Sequence, residues 1–163
     1  MNLYSQLTEE IGEAMNQEVK ILLAEDDQGH ATLIKKNLKR AGIKNDIIHF
    51  TDGQEVIDYL FSKDEDVKRK PGVPHLLLLD IRMPRVDGIE VLRRVKADQE
   101  LNKMPVIMIT TADDPRKIEE CHQLGCSSYI TKPIDYDEFI QTIRKLGLFL
   151  MVVKIPEING KSN

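Results

Sequence analysis

The stretch ILLAEDD, residues 21–27, decides the fold, because a short apolar segment runs directly into three carboxylates. An apolar run this short, without alternating polar residues, is typical of a strand that is buried on both faces of a parallel sheet. Adjacent carboxylates repel one another, and a partly buried set is driven neutral unless a cation lies nearby. The stretch therefore predicts a buried strand that ends in part of a charged site.

Similar apolar runs recur along the chain, at residues 19–24, 47–50, 75–79, 105–109 and 128–130. Between them, apolar residues recur at helical spacing, as at Ala31, Ile34 and Leu38, and Gly42 and Gly125 are typical helix stops. Strand and helix thus alternate five times. This order predicts an α/β fold of (βα)5 type, a doubly wound five-stranded parallel sheet with the flavodoxin-like strand order 2-1-3-4-5.

The bulk composition fits one soluble domain of 163 residues. The formal net charge is -4 and no basic block stands out, so we expect no nucleic-acid partner. The longest apolar run, 146–153, is less than half of the roughly 18 residues that span a bilayer, so we expect no membrane segment. Two cysteines without a secretory signal favour a cytoplasmic protein.

Three parts are predicted along the chain. Residues 1–18 form an N-terminal extension with apolar residues at four-residue steps, which favours a helix. Residues 19–147 form the α/β domain, and residues 148–163 form an apolar C-terminal extension and tail. Because so few residues follow the last helix, we expect no second folded domain behind it.

Polar residues end four of the predicted strands, and ligands of open α/β sheets bind at the carboxyl ends of the strands. These residues are Glu25, Asp26 and Asp27 after the first strand, Asp80 after the third, Thr110 and Thr111 after the fourth, and Lys132 after the fifth. In the order 2-1-3-4-5 the first and third strands are neighbours. Asp26, Asp27 and Asp80 are therefore predicted to share one crevice.

That crevice has the composition of a phosphoryl-transfer site. Converging carboxylates favour a hard cation such as Mg²⁺, which takes one or two protein carboxylates and recruits phosphate oxygens. A lysine and a threonine opposite are suitable partners for phosphoryl oxygens. Asp80 ends the central strand, and an aspartate can attack phosphorus to give an acyl phosphate. Asp80 is therefore the candidate nucleophile.

Four motifs in this order, AEDD, LLLLDIRMPRVDG, VIMITTAD and SYITKP, resemble the signature of response regulator receiver domains over about residues 19–146. The later stretch SYITKPIDYDEFIQTIRKLGLFLMVVKIP resembles stand-alone receivers that partner bacterial phytochrome-type histidine kinases. The resemblance implies these roles: Asp80 as phosphoacceptor, Asp27 and Asp80 as side-chain Mg²⁺ ligands, Asp26 acting through a metal-bound water, the backbone carbonyl of Arg82 as a further ligand, Thr110 and Lys132 holding the phosphoryl group, and Tyr129 as the switch aromatic. It also implies a cis Lys132–Pro133 bond.

The implied function is that of a single-domain response regulator, a signalling protein that catalyses only its own phosphorylation and slow autodephosphorylation. A histidine kinase, of phytochrome type by this resemblance, would supply the phosphoryl group in an Mg²⁺-dependent reaction. The signal would then pass through the fourth helix, fifth strand and fifth helix to a partner protein or to onward phosphotransfer. The apolar run 146–153 exceeds what one amphipathic helix needs, so it packs either against its own domain or at a subunit interface. The resemblance to phytochrome-partner receivers favours the second, a homodimer.

Several alternatives stay open at this point. Asp27 could serve only as the N-cap of the first helix, and Thr111 could carry the hydroxyl role in place of Thr110. A haloacid-dehalogenase-type phosphatase also uses a strand-end aspartate with Mg²⁺, but it needs a second aspartate where this chain has Arg82. A flavodoxin-like binder would accept a phosphate in its first loop, where this chain has an acidic run. A degenerate receiver that only scaffolds is the last alternative.

Overall fold

The computed structural model describes residues 2–6, 18–64 and 69–159. Within these ranges the elements are β1 (Lys20–Ala24), α1 (Gln28–Arg40), β2 (Ile47–Phe50), α2 (Gly53–Phe61), β3 (Val73–Leu79), α3 (Gly88–Ala97), a 3-10 turn (Leu101–Lys103), β4 (Val106–Thr110), α4 (Pro115–Leu124), β5 (Ser128–Thr131), α5 (Tyr136–Leu150) and β6 (Glu157–Ile158). Residues 3–6 are helical. Most of the helix predicted over 1–18 lies outside the described residues.

The sheet has the predicted topology. Five parallel strands lie in the order β2-β1-β3-β4-β5. The strand order and the α/β class are therefore confirmed. The sequence did not predict β6, which pairs antiparallel with the start of β3, where Val73 lies opposite Ile158.

The central strands are apolar throughout because both faces of the sheet are covered. Leu22 and Leu77 point into a core layer shared with α2, α3 and α4. Their neighbours Leu23 and Leu78 point into a second layer shared with α1 and α5. Successive side chains of a strand alternate between faces, so a strand covered on both sides reads as a continuous apolar run.

Every α-helix from α1 to α5 begins behind an aspartate. In each, the aspartate carboxylate accepts a hydrogen bond from a backbone N–H of the first turn; the caps are Asp27, Asp52, Asp87, Asp114 and Asp135. Such caps satisfy donors that have no partner within the helix, and each typically contributes about 1 kcal/mol. An aspartate that follows a strand in this chain is thus as suited to starting a helix as to lining a site.

The last helix is longer than the sequence suggested. Helix α5 continues through Leu150, beyond the predicted boundary at residue 147, and it packs against α1. A Cβ at Gly147 would lie 2.6 Å from the Cβ of Ala41, so glycine permits this close helix contact. Despite its length, α5 is not a candidate membrane span, and neither is any other helix in the described part of the chain.

Candidate functional site

Three carboxyl groups converge at the carboxyl edge of the sheet. Glu25, Asp26 and Asp80 each offer an oxygen within 4.8 Å of the others. The pairing of β1 with β3 brings them together, since Ala24 lies opposite Leu79 and the Asp80 N–H donates to the Ala24 carbonyl at 3.0 Å. Glu25 and Asp80 are buried, whereas Asp26 is exposed. The predicted crevice between the first and third strands therefore exists.

Asp27 lies outside this cluster. Its Oδ1 accepts the backbone N–H of His30 at 2.9 Å as the N-cap of α1, and this hydrogen bond lowers the pKa of the Asp27 carboxyl. The resemblance placed Asp27 on the metal and gave Asp26 an indirect role. Because β1 ends at Ala24, residues 25 and 26 reach the crevice and residue 27 caps the helix that begins at Gln28. The acidic pair that lies beside Asp80 is therefore Glu25 and Asp26, and not the predicted pair Asp26 and Asp27.

Lys132 supplies the positive charge of the site. Its buried Nζ lies 2.6 Å from Glu25 Oε1, 3.2 Å from Asp80 Oδ2 and 3.0 Å from His30 Nδ1. The backbone positions it, because the Lys132 N–H donates to the Thr110 carbonyl at 2.7 Å directly after β5. An ammonium group has three N–H donors and no acceptor. Each of the three N–H groups of Lys132 therefore has one acceptor.

The two buried carboxyl groups have opposite pKa shifts. Burial, followed by the neighbouring Asp80 carboxylate, raises the pKa of Glu25 to about 9. Burial also acts to raise the pKa of Asp80, but the neighbouring Glu25 and Thr110 side chains and the charge of Lys132 outweigh it and lower the pKa. In the metal-free protein, the charged form of Glu25 is therefore disfavoured and that of Asp80 is favoured. This leaves Asp80 as the anionic oxygen group that faces Lys132.

An orphaned buried oxygen provides a test of whether a hydrated cation fits here. Glu25 Oε2 is buried and has no hydrogen-bond partner among the described residues. A carboxyl oxygen without a donor is costly unless it holds a proton or meets a water or cation. Mg²⁺ binds oxygen ligands, typically one or two carboxylates together with several waters. Buried Asp80 and exposed Asp26 are such a pair of carboxylates. The residues present fit a hydrated divalent cation.

Thr110 ends β4 next to Asp80. Its side chain is fully buried, and its hydroxyl lowers the pKa of the Asp80 carboxyl by hydrogen bonding to it. The same Oγ1 accepts the Ala112 N–H at 3.3 Å. Thr111 is exposed. Of the two threonines considered, the structure brings Thr110 to the carboxylate.

Tyr129 lies on β5, one strand away from the charged cluster. Its hydroxyl donates to the Ala112 carbonyl at 2.5 Å, and burial is the largest cause that raises its pKa to about 12. Ala112 is the residue whose N–H contacts the Thr110 hydroxyl. Thr110 and Tyr129 are thus joined through the backbone of one residue in the β4–α4 loop.

Arg82 and Pro133 flank this arrangement in sequence. Arg82 follows Asp80 in the β3–α3 loop, and its side chain is exposed. The Lys132–Pro133 bond is trans, since the described residues include no cis peptide. The cis form implied by the resemblance is therefore wrong here, and the bond has the geometry that X–Pro prefers by about 0.5–1 kcal/mol.

His30 is a site residue that the sequence interpretation missed. It lies in the first turn of α1, where its Nδ1 meets both Lys132 and Glu25, and its ring packs edge-on against Phe139 with centroids 5.7 Å apart. The available signal was its position, three residues after the cap Asp27, which turns it back toward the strand end. Sequence alone does not show that a lysine from β5 reaches the same point.

The fold and site match a known family. The profile of the "Response regulator receiver domain" matches residues 21–144. The chain belongs to this family. A crystal structure of a response regulator receiver domain from Rhodospirillum rubrum is 45% identical, has a TM-score of 0.81, and covers 86% of this chain and 99% of that one. The family assignment supports a receiver over the phosphatase and the flavodoxin-like alternatives.

Two cyanobacterial receivers are also similar. The response regulator Rcp1 from Synechocystis is 29% identical over 83% of this chain and 92% of its own length, and its Mn²⁺-bound crystal structure has a TM-score of 0.77 with 84% and 98% coverage. The phosphorylated cyanobacterial phytochrome response regulator RcpA is 29% identical, with a TM-score of 0.77 over 84% of this chain and 97% of that one. The resemblance to stand-alone receivers is therefore confirmed.

Proposed function

We propose that Asp80 accepts a phosphoryl group from a partner histidine kinase. The observation that carries this proposal is the position of the buried Asp80 carboxyl, 3.2 Å from Lys132 Nζ and beside the Thr110 hydroxyl, with a pKa that these neighbours lower. A carboxylate oxygen of Asp80 attacks phosphorus, the phosphorus–nitrogen bond of the phosphohistidine breaks, and an acyl phosphate forms. Lys132 and Thr110 then hold the transferred oxygens, since phosphoryl transfer depends mainly on positioning and charge stabilisation.

The metal ligands in this proposal are the carboxylates of Asp26 and Asp80 and the backbone carbonyl of Arg82. Glu25 would act through a metal-bound water, which supplies the hydrogen bond that its buried Oε2 lacks. When bound, Mg²⁺ would neutralise charge on the phosphoryl oxygens. The Mn²⁺-bound form of Rcp1 supports a divalent cation in a receiver similar to this one.

The signal in this proposal passes along a short path from Asp80. A phosphoryl group on Asp80 attracts the Thr110 hydroxyl, and this motion changes the Ala112 carbonyl that Tyr129 contacts. A change in the position of Tyr129 then biases the surface formed by α4, β5 and α5. The output is contact with a partner protein or onward phosphotransfer, and the acyl phosphate is lost by slow autodephosphorylation.

The kinase is of phytochrome type in this proposal, and the protein works in the cytoplasm without a nucleic-acid partner. RcpA, a phytochrome response regulator by its description, supports the kinase class. The acidic net charge of -4 supports the absence of nucleic acid. Phosphotransfer from a purified phytochrome-type kinase, compared with a kinase of another sensor class, tests this part; equal rates would contradict it.

We also propose a homodimer through the exposed side of α5. Leu148, Phe149 and Val152 are each more than half exposed, although their neighbours Leu146 and Leu150 are buried. They lie beside an apolar groove of about 430 Å³ along β5 that Ile130 and Phe149 help to line. In sedimentation, Phe149→Asp should shift the protein to monomer, while Ile134→Asp, at an exposed residue in the loop before α5, should not. A wild type that is monomeric at all concentrations would contradict the dimer.

One experiment tests the phosphoacceptor. The protein is incubated with acetyl phosphate and Mg²⁺, and the intact mass is read for the wild type, for Asp80→Asn and for Asp46→Asn, a matched control at the opposite edge of the sheet. We expect a labile phosphoryl adduct on the wild type and the control, and none on Asp80→Asn or in EDTA. An adduct that persists in Asp80→Asn would overturn the assignment, and no adduct at all would favour the degenerate receiver.

A further inference from the structure

Three acceptors surround the Lys132 ammonium, and one of them comes from a residue with no role so far. Glu25 Oε1, His30 Nδ1 and Asp80 Oδ2 lie 2.6, 3.0 and 3.2 Å from Nζ. Since the ammonium has three N–H groups and no lone pair, each acceptor takes one of them. Lys132 is therefore fully hydrogen-bonded while it waits beside Asp80.

The same contacts assign the proton on the His30 ring. A proton on Nδ1 would place two donors face to face across the 3.0 Å separation from Lys132 Nζ. Nδ1 therefore carries a lone pair, and the proton of the neutral ring is on Nε2. His30 Nδ1 and Glu25 Oε1 are then two acceptors, 3.1 Å apart, that both face the Lys132 ammonium.

The surroundings of His30 hold its ring in this position. The backbone N–H of His30 donates to the Asp27 carboxylate at 2.9 Å, which fixes the start of α1. The ring edge meets buried Phe139 of α5 at a centroid distance of 5.7 Å. Asp27, which caps α1, and Phe139, which lies on α5, thus hold the imidazole in position. The Asp27 carboxylate therefore has a structural role rather than a metal-binding one.

We propose that His30 is a positioning residue for phosphorylation and that it acts through Lys132. This inference rests on the proposed function of Asp80. His30 and Glu25 anchor two N–H groups of Lys132, so the third is left directed at Asp80 Oδ2. A phosphoryl oxygen takes over that third N–H when Asp80 reacts, while the two anchors stay in place. Without His30 the ammonium has one acceptor fewer to fix its rotation, so an N–H group points at Asp80 Oδ2 less often.

The test compares rates of phosphorylation by acetyl phosphate at saturating Mg²⁺. His30→Leu removes the acceptor, and we expect the rate to fall about tenfold, because misplaced catalytic groups lose rates of this order and more. His30→Asn restores an acceptor oxygen near the Nδ1 position and should recover most of the rate. His122→Leu, a change of an exposed histidine on α4, is the matched control and should leave the rate unchanged.

A double-variant cycle separates positioning from a general loss of structure. In a Lys132→Ala background, His30→Leu should have little further effect, since its partner is already gone. A full tenfold loss in that background, or equal losses in His30→Leu and His30→Asn, would overturn the proposal. Equal rates for the wild type and His30→Leu would overturn it as well. If the wild type forms no adduct on Asp80, the proposed function itself fails, and that result is distinct from the others.

Discussion

The two edges of the sheet bury charged side chains in different ways. At the carboxyl edge, Lys132 is held by other side chains, those of Glu25, His30 and Asp80. At the amino edge, buried Arg69 donates to the backbone carbonyls of Ile158 and Asn159, at 3.3 and 2.7 Å. Side-chain partners can be exchanged when a new anion arrives, whereas backbone carbonyls of a paired strand are fixed. In the proposed function the carboxyl edge carries the reaction, whereas the contacts of Arg69 at the amino edge hold the C-terminal segment against the sheet.

Lys132→Ala should give the largest effect at the carboxyl edge. Loss of one preorganised donor to a transferring group typically slows a reaction by about 10²- to 10³-fold. We expect this loss in the rate of phosphorylation by acetyl phosphate, measured by intact mass with time. A variant within twofold of the wild type would show that Lys132 is only a structural counter-ion.

Gly88→Ala should damage the same edge through the backbone. A Cβ at this position would lie 2.0 Å from the Asp80 carbonyl oxygen, so the loop after β3 must move. We expect a loss of about 1–3 kcal/mol in the free energy of unfolding, as for other overpacked sites, together with slower phosphorylation. Urea denaturation measures the first effect. Unchanged stability would mean that the β3–α3 loop is free to shift.

Arg69→Met tests whether the amino edge contributes to stability and not to phosphorylation. The variant keeps an apolar stem but removes hydrogen bonds to two backbone carbonyls of the C-terminal segment. We expect a loss of about 1–2 kcal/mol in the free energy of unfolding. The phosphorylation rate of the folded protein should stay within twofold of the wild type. A large fall in that rate would contradict the separation of the two edges.

The two edges should also respond in opposite directions to pH, which is the smallest effect. In metal-free protein, the pKa of Glu25 is raised from 4.5 to about 9, so the folded state holds a proton that the unfolded state releases. Stability from this group is present below about pH 4.5 and is lost as the pH rises toward 9. Glu25→Gln should remove this alkaline loss in urea denaturation with EDTA.

His75 titrates with the other sign. Burial lowers its pKa below 6.5, and its Nδ1–H donates to the Val73 carbonyl at 2.8 Å. Stability from neutral His75 is therefore present above pH 6.5 and is lost as the pH falls below it. His75→Asn should flatten the acid side of the same curve and leave the alkaline side. If one variant flattened both sides, the two edges would be coupled.

The apolar strands could be read from the sequence because each is buried on both faces. The strand order could then be predicted, since alternating strands and helices permit few topologies. Strand β6 could not, because two residues carry no pattern and its position depends on contacts with Val73 and Arg69. The same holds for the length of α5, which depends on the contact of Gly147 with Ala41.

The candidate site was predictable in its parts but not in its register. Asp80, Thr110 and Lys132 stand at strand ends, and the structure brings them together. The acidic run was ambiguous, because Glu25, Asp26 and Asp27 are equally acidic and only the end of β1 decides which two face the crevice. His30 could not be assigned to the site from its position alone, since its contact there is with a lysine 102 residues away.

The most direct test asks which residue carries the phosphoryl group. After reaction with acetyl phosphate and Mg²⁺, borohydride reduces an aspartyl phosphate to homoserine, and peptide mass analysis locates the change. We expect homoserine at position 80 alone, in the peptide that contains LLLLDIRMP. Reduction at position 26 or 27, or an adduct that borohydride does not convert, would contradict Asp80 as the phosphoacceptor.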